Sequence, residues 1–154
     1  MKKIYFIYFF IFSPVILQSN DFNFYYQKYS NIKSKVTIIG YLVPDACNKC
    51  ISNLDYMIDC LKEEYPGENV NVIGFVYAKR SIEVNYFKKK MSWAYPLFKF
   101  DYEFNDFLKK EAANDFVVIS SDGEVLYQGN LTGTHYLINE CKKIKEMIRK
   151  VVSK

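Results

Sequence analysis

Arginine is nearly missing from this 154-residue chain: Arg80 and Arg149 are the only two among 21 basic residues. The side chain best suited to forked contacts with phosphates and base edges is therefore scarce, and Lys2 and Lys3 at the extreme N-terminus account for half of the net charge of +4. Together these exclude a nucleic-acid footprint. Glycine and proline number only six and four, which excludes collagen-like and low-complexity chains. No repeat of 20 to 50 residues is present, which excludes a solenoid. What the chain does have is 50% hydrophobic and 25% charged residues, the balance of one globular domain with a substantial core. Its many aromatic residues accompany abundant Lys, Asn and Ile, as an AT-rich coding sequence would produce, and composition alone assigns them no function.

Met1-Lys2-Lys3 precedes Ile4 to Leu17, a run without a charge. A basic start followed by an apolar stretch is the order of an export signal. At about 1.5 Å per helical residue the run covers roughly 21 Å, short of the ~30 Å hydrocarbon core. Residues 1–20 are thus expected to be a signal peptide or, because no pair of small residues marks a cleavage site near Leu17 to Asn20, an N-terminal membrane anchor. Residues 21–35 are expected to be a spacer with at most one short edge strand, and residues 36–154 the domain.

Val36 to Val43 (VTIIGYLV) is a β-branched apolar run without charge that suits a strand buried on both faces, and Val70 to Tyr77 (VNVIGFVY) reads as a second buried strand. Between them Cys50, Leu54, Met57, Ile58 and Leu61 recur at helical spacing up to Pro66-Gly67. Ser81 to Met91 reads as a helix capped by Ser81, Pro96 to Phe100 as a short strand, and Glu103 to Glu111 as a short helix. Asp122-Gly123 between two apolar runs predicts a hairpin of Phe116 to Ser120 with Glu124 to Gln128. Leu137, Cys141, Ile144, Ile148 and Val151 mark one face of a final helix. The alternation predicts a three-layer α/β sandwich whose mixed central sheet has flanking helices and whose first two strands are parallel neighbours.

Cys47-Asn48-Lys49-Cys50 lies where the first buried strand gives way to a helix. Unpaired N–H groups and the positive end of the dipole at a helix start favour a thiolate, and Lys49 adds a cation. Cys47, the more N-terminal thiol, reads as a nucleophile and Cys50, one turn on, as the thiol that resolves a mixed disulfide. Two other readings compete: a structural disulfide, and a thiolate metal site. The second is weakened because Cys60, His135 and Cys141 supply no second close pair. Cys60 and Cys141 each lie on or beside an apolar helix face and read first as buried thiols.

The chain resembles the thioredoxin-like thiol-disulfide oxidoreductases, in particular their exported TlpA/ResA and redoxin-like branch, over about residues 36–150. The resemblance is carried by VTIIGYLV leading into CNKC, by NVIGFVY, by the segment ending in YPLF and by FVVISSDGEVLYQG before the last helix. It implies catalysis by Cys47 and Cys50 with Lys49 and Pro44 in support, no cofactor or metal, and protein thiols or disulfides as substrates beside a redox partner protein. It also implies a periplasmic or membrane-anchored extracytoplasmic location, with residues 4–17 as the tether. In the thioredoxin arrangement the first and last helices share one side of the sheet, which admits a second disulfide between Cys60 and Cys141. Two departures stand out, and one neighbouring pattern is rejected. The cis-proline that usually precedes the strand beginning near Phe116 is absent from Ala112-Ala113-Asn114-Asp115. The Glu that this branch often carries three residues after its second Cys is Asn53. The copper-delivering Sco pattern fails, since it spaces its Cys as C-x-x-x-C and its His precedes the hairpin, whereas His135 follows it. Tyr127, Asp45 and Asp115 are candidates to flank the site, although ordinary strand-end roles suit each. The alternative function is a non-catalytic thioredoxin-like binding module with a structural C-x-x-C disulfide.

Overall fold

A computed structural model describes residues 22–24, 26–30, 34–43, 48–65, 70–108, 115–131 and 134–152. The elements run β1 (Val36–Leu42), α1 (Asn48–Glu64), β2 (Val70–Val76), α2 (Ser81–Lys90), β3 (Leu97–Lys99), α3 (Tyr102–Phe107), β4 (Phe116–Ser120), β5 (Val125–Gly129) and α4 (Thr134–Val152). The sheet order is β3-β2-β1-β4-β5. As expected, β1 and β2 pair in parallel, from Val36 opposite Val70 to Leu42 opposite Val76. β3 extends the parallel set beside β2, while β4 runs antiparallel to β1 and β5 antiparallel to β4. The sheet is therefore mixed.

Both leading strands are buried along their whole length, because a separate core covers each face. On one face Leu54, Met57, Ile58 and Leu61 of α1 meet Leu137, Ile144 and Ile148 of α4 over Val36, Ile38, Val70 and Val72. Fully burying such side chains contributes about 1.5 to 3 kcal/mol each. Gly40 at the centre of β1 lets α1 come this close: a Cβ there would lie 2.6 Å from Leu54 Cδ2. On the other face Ile39, Tyr41, Ile73 and Phe75 carry Phe104 and Leu108 from α3 and its end.

That second face corrects the expectation for residues 21–35. Instead of an edge strand on a spacer, residues 22–24 form a helical turn, and Phe22, Tyr26 and Tyr29 belong to the aromatic core. The Tyr26 hydroxyl bonds Thr37 Oγ1 at 2.7 Å and accepts from Asn71 Nδ2 at 2.9 Å. Tyr29 donates to the Asp101 carboxylate and packs its ring 5.0 Å from that of Phe75. Phe22, Tyr26 and Tyr29 stand at i, i+4 and i+7, the spacing of one helical face, and Phe22 stacks on Tyr26 with centroids 5.2 Å apart; only two turns long and set among polar residues, the pattern escaped the sequence reading. The 1–20 leader lies outside the described residues.

Two local expectations also change. Ser81 does not cap α2; it is the first helical residue, and Arg80 occupies the cap position without a side-chain capping bond. The Glu83 carboxylate serves instead, accepting the backbone N–H groups of Lys79 at 3.0 Å and Arg80 at 3.3 Å. α3 starts a residue early because the Asp101 side chain accepts from Phe104 N at 3.0 Å, capping it. The hairpin is as read, with Gly123 at φ +88°, but β5 begins at Val125 rather than Glu124. Gly123 is required twice over, since a Cβ would also lie 2.4 Å from the Phe22 ring.

Candidate functional site

The C-terminal ends of β1, β2 and β3 lie together, because the three strands are parallel neighbours. β1 delivers the chain to this end at Leu42, and α1 begins six residues later at Asn48. Cys50 is the third residue of that helix and is half-buried, while Lys49 is exposed. The first-turn N–H groups of any α-helix lack intrahelical acceptors, so Cys50 stands in the positive part of the helix field. The Ser52 hydroxyl donates to the Lys49 carbonyl at 3.0 Å. Cys47, Pro44 and Asp45 lie outside the described residues.

Asn53, one turn below Cys50, is buried and donates Nδ2 to the Leu131 carbonyl at 2.7 Å. The Leu131 N–H in turn donates to Asp115 Oδ2 at 2.8 Å. The Asp115 carbonyl accepts from Tyr41 N at 2.8 Å, and its own N–H donates to Gly129 O at 2.9 Å. One relay of hydrogen bonds thus ties α1, the turn after β5, the start of β4 and the end of β1. Leu131 had no signal in the sequence. Asp115 was visible only as a strand-end carboxylate; its side chain is taken up in holding Leu131. Tyr127 packs its ring 5.6 Å from that of Phe116, a structural role. His135 falls in the first turn of α4, but its side chain is outside the described residues.

Farther along α1, burial and then the charge of Asp59 push the Asp55 carboxyl above its ordinary range. Cys60 and Cys141 form a disulfide between α1 and α4 with Cα atoms 6.6 Å apart. Beyond it Tyr65 donates to the Lys145 carbonyl at 3.1 Å, and Glu64 meets both Lys145, at 3.5 Å, and Arg149. The two helices are therefore pinned together at the C-terminal end of α1, the end opposite its first turn. Among the described residues no group of three or more His, Cys, Asp or Glu side chains is arranged to hold a metal ion.

No protein-family model and no curated protein matches the chain. Solved structures do. The chain is similar to the thioredoxin domain of a thiol-disulfide oxidoreductase from Bacteroides vulgatus, at 11% identity and TM-score 0.52, over 80% of this chain and 81% of that one. A thioredoxin-like protein from Porphyromonas gingivalis aligns at 14% identity and TM-score 0.55, over 75% of this chain and 77% of that one. An electron transport protein candidate from Aquifex aeolicus aligns at 18% identity and TM-score 0.58, over 78% and 85%. The order β3-β2-β1-β4-β5, in which β4 alone runs against the other four strands, between helical layers, and these likenesses identify the chain as thioredoxin-like in fold.

Proposed function

We propose that the chain is an extracytoplasmic thiol-disulfide oxidoreductase that exchanges a Cys47–Cys50 disulfide with protein thiols. The observation that carries this reading is Cys50 in the first turn of a helix that follows a doubly buried strand, in a fold shared with solved oxidoreductases. In the reducing direction the Cys47 thiolate attacks a substrate disulfide, forms a mixed disulfide and expels the substrate's other sulfur as a thiolate. Cys50 then attacks Cys47 Sγ, releases the second substrate thiol and leaves the Cys47–Cys50 disulfide. The helix field and Lys49 stabilise the attacking thiolate, lowering the Cys47 pKa below the free-thiol value of about 8.5. The basic and apolar leader supports the extracytoplasmic location.

Cys50→Ser tests the order of attack: it is expected to accumulate a mixed disulfide through Cys47, while Cys47→Ser accumulates none. Equal alkylation rates of the two thiols from pH 6 to 9, with nothing trapped by Cys50→Ser, would favour the second reading, a binding module with a structural disulfide. One observation supports that second reading: Asp115, not proline, stands directly before β4, with its carboxylate committed to Leu131.

A further inference from the structure

Aromatic rings crowd the end of the sheet at which the C-x-x-C segment begins. Tyr77 follows β2, and its N–H donates to the Leu42 carbonyl at 3.3 Å, so it stands beside Val43. Val43 is 51% exposed and precedes Cys47 by four residues, which limits their Cα separation to about 14 Å. The Tyr77 ring stacks on Phe100 with centroids 4.2 Å apart and planes 20° apart, and Tyr102 stands edge-on to Phe100 at 4.9 Å. Tyr77 and Tyr102 are nonetheless 38% and 69% exposed.

These rings floor an open recess of about 330 Å³ lined by Tyr77, Ala78, Lys79, Lys99, Phe100 and Tyr102. Its charged lining is cationic throughout. Lys99 Nζ donates to the Lys79 carbonyl at 2.9 Å, which holds that ammonium at the rim instead of letting it swing away. Of the acids nearest in sequence, Glu83 accepts the Lys79 N–H at 3.0 Å and is paired with Arg80 at 2.9 Å, while Asp101 and Glu103 line a separate recess that shares Tyr102, Phe100 and Lys99, and Asp101 is engaged by Tyr29 and Phe104. An exposed stacked floor favours planar or apolar side chains, and paired ammonium groups favour carboxylates.

The geometry points to a docking platform for the thiol partner: the recess takes a segment carrying an aromatic residue and Asp or Glu a few residues from the reacting cysteine. This rests on the proposed exchange reaction and names its substrate class. It also gives partner binding a location that does not depend on the absent proline, since the platform is built from β2, β3 and the start of α3 rather than from β4.

Two measurements on the full chain separate the platform from the chemistry. In the first, peptides whose cysteine is replaced by serine, with either acidic-aromatic or basic-aromatic flanks, are titrated while backbone amide shifts are followed. The acidic-aromatic peptide is expected to move the amides of Tyr77, Lys79, Lys99 and Tyr102 in a salt-sensitive way, and the basic one to leave them in place. In the second, the same peptides carry their cysteine as a mixed disulfide with thionitrobenzoate. The reduced protein should release thionitrobenzoate roughly tenfold faster from the acidic-aromatic peptide at low salt. Lys79→Glu with Lys99→Glu should abolish that preference and leave the rate with neutral hydroxyethyl disulfide unchanged. Shifts confined to other surfaces, or equal affinity for both peptides, would overturn the platform whether or not exchange occurs. Binding at the recess without any exchange would uphold the platform and sink the redox reading instead.

Discussion

Asn53 donates its amide to the Leu131 carbonyl at 2.7 Å from a buried position, and only a donor can occupy that place. An ionised glutamate, which the resembling branch often carries here, would face the carbonyl with acceptors alone. Removing the donor with Asn53→Ala strands a buried carbonyl and is expected to cost about 1 to 3 kcal/mol. Asn53→Asp should be worse at neutral pH and partly recover in acid. Burial raises the new carboxyl's folded pKa above its unfolded value, so the protonated, donating form supplies stability at low pH that is lost as pH rises. Urea midpoints of the three proteins at pH 4 and pH 7 check both statements.

The Cys60–Cys141 disulfide spans a sequence separation of 81 and joins the two helices that support the motif. Replacing both cysteines with alanine is expected to cost about 2 to 4 kcal/mol, as typical disulfides contribute by restricting the unfolded chain. Trapping by Cys50→Ser should survive in that background. Loss of trapping in a folded protein would mean that the second disulfide takes part in the chemistry.

Burial alone would raise the Asp101 carboxyl, but bonds from the Tyr29 hydroxyl and Phe104 N–H, aided by Lys28, more than offset it and hold the group below its ordinary 3.8. A depressed folded pKa contributes stability above the unfolded value, lost as pH falls through the folded one. Acid unfolding below about pH 4 is therefore expected to flatten in Asp101→Asn. Tyr29→Phe should flatten it less, since the Phe104 bond remains. Denaturant midpoints from pH 2 to 6 provide the measurement.

Gly123→Ala meets two obstacles at once, a positive φ and a contact of 2.4 Å with the Phe22 ring. A loss of about 1 to 3 kcal/mol is expected from the backbone conformation. Phe22→Ala should destabilise independently but relieve part of the Gly123→Ala penalty, a non-additivity that a double-mutant cycle detects.

The strands and helices of residues 36–152 were legible because each leaves a strong local signature. VTIIGYLV and VNVIGFV carry no charge and are apolar apart from Thr37 and Asn71, and the apolar residues of α1 and α4 repeat with the helical period. The CNKC motif was legible for the same reason, as a short spacing at a junction between two strong signals. What escaped was long-range and polar. Tyr29 finds Asp101 across 72 residues and Asn53 finds Leu131 across 78, and no local pattern encodes such partners. The second helix shows the limit even locally. Ser81 was the natural cap by residue type, but Glu83 captures both upstream N–H groups, and the helix begins one residue earlier.

Cys60 precedes Cys141 by 81 residues, so a chain threaded N-terminus first into an oxidising space exposes Cys60 for an interval before its partner arrives. Throughout it, the only other thiols already made are Cys47 and Cys50, so the sole errors open to Cys60 within the chain are with the motif itself. The secondary structure guards against one of them. Ten helical residues separate Cys50 from Cys60 by about 15 Å, well beyond the ~7 Å that a disulfide tolerates. Once α1 is wound, Cys60 is held at the far end of the rod from Cys50, and that wrong pairing is out of reach.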